Sequence, residues 1–125
     1  MKKLALLCAG FLLVFVACSS KEPSLLDKRI ERHLVLYEFD RALIKGFNSK
    51  INANGLLEFE LVLFSEDELE FDYKVEWMDD DGFSVKSLGD GQYKKARLKA
   101  GEELFIQRVA SSKEASAFKI YLNGK

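Results

Sequence analysis

Residues 69–83 read Leu69-Glu70-Phe71-Asp72-Tyr73-Lys74-Val75-Glu76-Trp77-Met78-Asp79-Asp80-Asp81-Gly82-Phe83. Leu69, Phe71, Tyr73, Val75 and Trp77 fall on one side of an extended chain, and Glu70, Asp72, Lys74 and Glu76 fall on the other. This is the period-two pattern of a half-buried strand; a helix would scatter the five apolar groups around its circumference. Asp79-Asp80-Asp81-Gly82 supplies turn chemistry, because Gly82 can take a positive φ that a β-carbon resists, so the strand is expected to reverse into Phe83-Ser84-Val85.

Working outward, Leu57, Phe59, Leu61 and Leu63 alternate with Glu58, Glu60 and Val62 in a second strand. Its outer face starts charged and ends apolar, so its far end is expected to be covered. Ser65–Glu68 is an acidic turn, which makes 56–64 and 69–77 neighbours either in a hairpin-like pair or across two sheets. Asn52-Ala53-Asn54-Gly55 is a turn of the Asn-Gly kind. Upstream, Leu34–Phe39 is rich in β-formers, and residues 43–49 form a short strand with a bulge at Gly46. Downstream, Ser87–Gly91 is loop, 93–98 and 104–109 are strands joined by Lys99-Ala100-Gly101-Glu102, and Ala110–Ser116 is a small, polar loop. Phe118, Ile120 and Leu122 then alternate with Lys119 and Tyr121 before an exposed end, Asn123-Gly124-Lys125. Seven or eight short strands at this spacing predict an all-β domain, an antiparallel immunoglobulin-like sandwich rather than a barrel, over residues 33–125.

The start of the chain has a different character. Lys2 and Lys3 precede an apolar run from Leu4 to Ala17, a secretory signal pattern over residues 1–17. The run is short of the roughly 20 residues that span a bilayer core. Phe15-Val16-Ala17-Cys18 resembles a bacterial lipobox with Phe15 in place of the usual Leu, so Cys18 is the expected site of lipidation; the competing reading is an ordinary secretory peptide cut near Ala17. Ser19 is not an aspartate, which in an enterobacteria-like host with two membranes directs the lipoprotein to the outer one. Cleavage before Cys18 leaves 108 residues with that one cysteine, so no internal disulfide can form and the core must hold the domain together. Residues 18–32, with the only proline, Pro23, read as lipid anchor and tether. From Ser24 a helical reading competes, with Ser24 capping a turn that contains Asp27 and with Leu26, Ile30 and Leu34 along one edge.

Composition limits function. Loss of Lys2 and Lys3 leaves 17 basic against 20 acidic side chains, a slightly acidic domain without the basic stripe of a nucleic-acid binder. His33, the only histidine, is expected exposed at a strand start; it can form no His-His metal pair. With Cys18 acylated there is no thiol nucleophile, and the glycines make no phosphate-binding run. Asp79, Asp80 and Asp81 are consecutive, whereas a calcium loop alternates its ligands, so neither a metal nor a cofactor is expected. Trp77 and Tyr73 have the area and polar handle of ligand-groove residues, but their phase, shared with Phe71 and Val75, assigns them to the core.

Tyr73-x-x-x-Trp77-x-Asp79-x-x-Gly82 resembles the YcfL-like family of small bacterial lipoproteins. Lys99-Ala100-Gly101-Glu102 matches that family's turn, and Val109-Ala110-Ser111 with Ala117-Phe118-Lys119-Ile120-Tyr121-Leu122 resembles its closing Val-Ala-Pro loop and last strand, so that the likeness runs from Leu34 to Leu122. Ser65 stands for the family's Asn, Ser111 for its Pro, and Tyr93 lies near its second Trp. The resemblance implies an immunoglobulin-like sandwich anchored in the envelope and carries no biochemical activity. The expected function is a membrane-anchored, non-catalytic module that binds another envelope protein, with Asp79–Gly82 and Ala110–Ser116 as contact loops. The competing expectation is a carrier or sensor with a small or lipidic ligand between its sheets.

Overall fold

The computed structural model describes residues 24–87 and 89–125. Residues 1–23, which include the expected signal segment 1–17 and the expected lipidation site Cys18, lie outside the described residues. The segment from Ser24, open to two readings above, is a helix, α1 (Leu25–His33). Ser24 Oγ accepts from Asp27 N–H and the Asp27 carboxylate accepts from Ser24 N–H, a reciprocal capping box that fixes where the helix starts. Ile30 is buried and Leu26 packs against the core.

Eight strands follow: β1 (Leu34–Tyr37), β2 (Ile44–Ile51), β3 (Leu57–Phe64), β4 (Leu69–Met78), β5 (Ser84–Val85), β6 (Lys94–Leu98), β7 (Glu103–Val109) and β8 (Ala117–Asn123), with a 3₁₀ turn at Arg41–Leu43. They form an all-β sandwich. One sheet has the order β1-β8-β4-β5, with β6 also on β4; the other runs β2-β3-β7. The consecutive strands β3 and β4 therefore lie in different sheets. One strand departs from the antiparallel expectation: β1 runs parallel to β8, Leu34 beside Ile120 and Tyr37 beside Asn123. Parallel neighbours cannot be joined by a tight turn, and here the whole intervening sandwich is the connection. The bulge falls where Gly46 stands, as a register shift between Ile44 and Gly46.

Phe71, Val75 and Trp77 of β4 are buried. Tyr73 shares their phase but is only partly buried, because β6 ends at its partner Lys94 and β5 begins only at Trp77, so the sheet edge is split beside it. Phe118 of β8 is the hub between the sheets. It stacks on Phe59 at 4.9 Å and meets Trp77 at 5.7 Å and Phe47 at 5.9 Å. Aromatic pairs of this kind add about 0.5–1.5 kcal/mol each beyond the area they bury.

Two expectations need correction. His33 is not free in solvent: it ends α1, its ring stacks on Phe118 at 4.3 Å, and its Nδ1 lies 3.1 Å from the Phe118 carbonyl. The helix brings it there, which a strand start would not. The chain end is not a loose tail either, because Gly124 N–H donates to the Tyr37 carbonyl at 3.0 Å and a β-carbon on Gly124 would collide with the Glu38 carbonyl oxygen.

Candidate interaction surface

A sandwich leaves strand edges, and each edge here is treated differently. The outward carbonyl of Phe47 on β2 accepts from Arg29 Nη1 at 3.2 Å, and the same guanidinium bonds the Asn48 side chain, so α1 closes that edge. β1 offers only four residues. The β5/β6 edge is interrupted by a loop. β7 offers seven residues and, among the described residues, pairs on one side only, with β3.

Parity shows which groups of β7 are free. Ala110 N–H donates to the Leu57 carbonyl at 2.8 Å, and the β3–β7 register continues from there without a shift. Both polar groups of one residue in an antiparallel strand point the same way, so Leu104, Ile106 and Arg108 face β3 while Glu103, Phe105, Gln107 and Val109 direct their N–H and C=O outward. The side chains of those four residues are also exposed, Phe105 at 54% and Val109 at 47%. The apolar end of β3, expected to be covered, is half-buried at Val62 and Phe64, and the partner of Val62 is Phe105. A groove of about 610 Å³ runs over the same face, lined by Asn48, Lys50, Glu58, Glu60, Gln107 and Val109. Its carboxylates are paired, Glu60 with Gln107 Nε2 and Glu58 with Lys50 at 3.5 Å.

A second groove, of about 660 Å³, lies beside β5, and Trp77, Ser87 and Asp90 in its lining belong to a polar cluster that sequence reasoning missed. Asp90, 4% exposed at its side chain, accepts from Trp77 Nε1 at 2.9 Å, Ser87 Oγ at 3.2 Å and Arg108 Nη2 at 2.5 Å. Trp77 belongs to one sheet and Arg108 to the other, so the loop carrying Asp90 clasps the sandwich shut beside the open edge. The available signal was a lone charge inside an apolar alternation, Arg108 after Ile106, which marks an inward charge in need of a partner.

A family model described as protein of unknown function (DUF1425) matches residues 36–124. The chain belongs to the DUF1425 family. This family member is similar to the crystal structure of Campylobacter jejuni cj0090, with 34% identity and a TM-score of 0.67 over 75% of this chain and 99% of that one. It is also similar to the crystal structure of a DUF1425 family member from Shewanella sp. pv-4, 18% identical with a TM-score of 0.53 over 66% of this chain and 76% of that one, a likeness of fold alone. No curated protein matches the chain.

In this DUF1425 member the Asp79–Gly82 turn is built as a turn. The Asp79 carboxylate accepts from the Asp81 and Phe83 amides, each at 3.0 Å, and Gly82 sits at φ 85°. Asp80 and Asp81 remain exposed beside Phe83, which is 72% exposed. On the outer face of the larger sheet, Lys74 lies between the rings of Tyr93 and Tyr121, and the Tyr121 hydroxyl donates to Glu76. Burial, then that carboxylate, pushes the Tyr121 phenol up.

Proposed function

We propose that this DUF1425 member is a lipid-anchored, non-catalytic interaction module of a bacterial envelope, which presents the open β7 edge and the face beside it to a protein. The observation that carries the reading is the outward row of N–H and C=O groups on β7 flanked by exposed Phe105 and Val109. Main-chain bonds at such an edge provide affinity and the alternate side chains provide selectivity. The anchor is supported by Phe15-Val16-Ala17-Cys18 and by the likeness of the Tyr73 to Gly82 motif to YcfL-like lipoproteins. Between the sheets the space is filled by Phe47, Phe59, Trp77 and Phe118, which favours a binding surface over a carrier cavity. The single histidine is engaged with the Phe118 carbonyl, and the buried carboxylate of Asp90 is fully bonded, so neither is poised for acid–base work.

Two experiments test this reading. Cys18→Ser is expected to abolish lipid labelling and either move the chain to the soluble fraction or leave its precursor uncleaved; normal processing with unchanged membrane retention would remove the anchor. A photo-crosslinking residue at Gln107, introduced into the full chain in its own cells, is expected to capture a protein more efficiently than the same residue at Lys119 on the opposite sheet. Equal or absent capture would remove the β7 edge as the contact.

A further inference from the structure

We propose that the occupant of the β7 edge is a second copy of this chain, paired antiparallel through β7 about a two-fold axis at Gln107. The inference rests on the interaction reading above and names its partner.

An isologous contact requires a surface that complements itself: what residue i meets on the partner, the partner's residue i must meet in return. The exposed face of β7 has that symmetry. About Gln107 it reads apolar-polar-apolar, Phe105-Gln107-Val109. A two-fold axis there sets Phe105 opposite Val109 of the second copy, Gln107 opposite Gln107 and Glu103 opposite Ser111. Every outward N–H and C=O of Phe105, Gln107 and Val109 then meets its complement, because residues of the same parity form the hydrogen-bonded pairs of an antiparallel ladder. The aromatic–β-branched pair is of the favourable cross-strand kind.

Charge points the same way. β7 carries one acid, Glu103, and one base, Arg108, and the Arg108 guanidinium is already held by Asp90. The outward face of the strand thus presents a single charge, Glu103 at its end, which in this register stands opposite the uncharged Ser111, and no charged side chain faces a like charge. Arg108 stands opposite Ile106 of the second copy. The result is one six-stranded sheet, β2-β3-β7-β7-β3-β2, whose outer strands are both closed by α1 through Arg29. Growth stops at two copies, as an inter-chain edge contact must if it is not to become an open filament.

The test is disulfide trapping in the full chain, oxidised in its own cells. A hydrogen-bonded antiparallel pair holds its Cα atoms about 5.5 Å apart, within the range a disulfide spans. Gln107→Cys is expected to give a covalent dimer several-fold above Lys119→Cys, at another exposed position on the other sheet; Cys8 and Cys18 are common to both variants. Adding Phe105→Asp, which alters only an exposed side chain, should return the yield to the Lys119→Cys level with an unchanged circular dichroism spectrum. Equal yields from Gln107→Cys and Lys119→Cys overturn self-pairing. The photo-crosslinker at Gln107 then separates the two failures: capture of a different protein leaves the interaction reading standing, and capture of nothing removes both.

Discussion

Trp77 does two things that no other residue of β4 combines: its ring fills the space beside Phe59 and Phe118, and its Nε1 holds Asp90 in place. Trp77→Ala is expected to cost about 3–5 kcal/mol in chemical denaturation, as buried aromatic truncations do. Trp77→Phe keeps most of the packing but removes the donor to a buried carboxylate, for about 1–3 kcal/mol. If the two variants proved equally stable, the ring would matter only through its bond to Asp90. At Gly124 the constraint is steric, since any β-carbon meets the Glu38 carbonyl, and Gly124→Ala should force β8 away from β1 for about 1–3 kcal/mol, read as a lowered melting temperature. His33 introduces a pH dependence. Burial lowers its pKa first and Arg32 adds to that, against the opposing bond to the Phe118 carbonyl. The folded state thus prefers the neutral ring. Its stabilising contribution is complete above the ordinary value near 6.5 and is lost as pH falls through the lowered one. The melting temperature should fall on that acid side in the parent and fall less in His33→Phe.

At the scale of the element, α1 is a short helix that holds its place by docking rather than by propensity. Its capping box is worth about 1 kcal/mol, so Ser24→Ala should loosen it by that amount. Arg29→Ala goes further, because it frees the β2 edge from the guanidinium that covers Phe47. Hydrogen exchange should report this as faster exchange at the outward amides of Phe47 and Ser49, with the inward amide of Asn48 unchanged; uniform protection would mean that the helix backbone, not Arg29, shields the edge. The bulge at Gly46 makes a weaker demand. A β-carbon there would sit 3.6 Å from the Val62 side chain, an ordinary contact, so Gly46→Ala should be tolerated.

For the whole molecule the decisive strand is β8, which lies between β1 and β4 and supplies Phe118 to the core. The first strand of the sandwich therefore waits for the last before its sheet can close, a non-local topology of the kind that folds in milliseconds to seconds. Removal of residues 117–125 should abolish the cooperative thermal transition, whereas removal of Asn123–Lys125 alone should only lower it. The surface ion pairs contribute little to this balance: Arg97 with Glu68 and Glu70 is exposed, and solvent screens such pairs. Among the described residues, the Asp90–Arg108 contact is the ion pair that bridges the two sheets from a buried carboxylate.

Strand number, strand phase and the positions of the turns were legible in the sequence, because each is a local property. Alternation from Leu69 to Trp77 states which side chains share a face, Asp79 to Gly82 states where the chain reverses, and Gly46 marks the irregular position of β2. Alternation carries no information about which strand lies next door. Only the tertiary structure placed β3 and β4 in separate sheets, set β1 parallel to β8, and left β7 as the long open edge. The same limit hid the partners of single residues. Asp90 reads as one more loop acid, His33 as an exposed ring and Gly124 as part of a tail, until the fold brings Trp77 and Arg108, Phe118, and the Glu38 carbonyl against them. Hydrogen bonds, stacking and steric exclusion act over a few ångströms in space, and those distances are fixed by sheet packing between residues far apart in the chain.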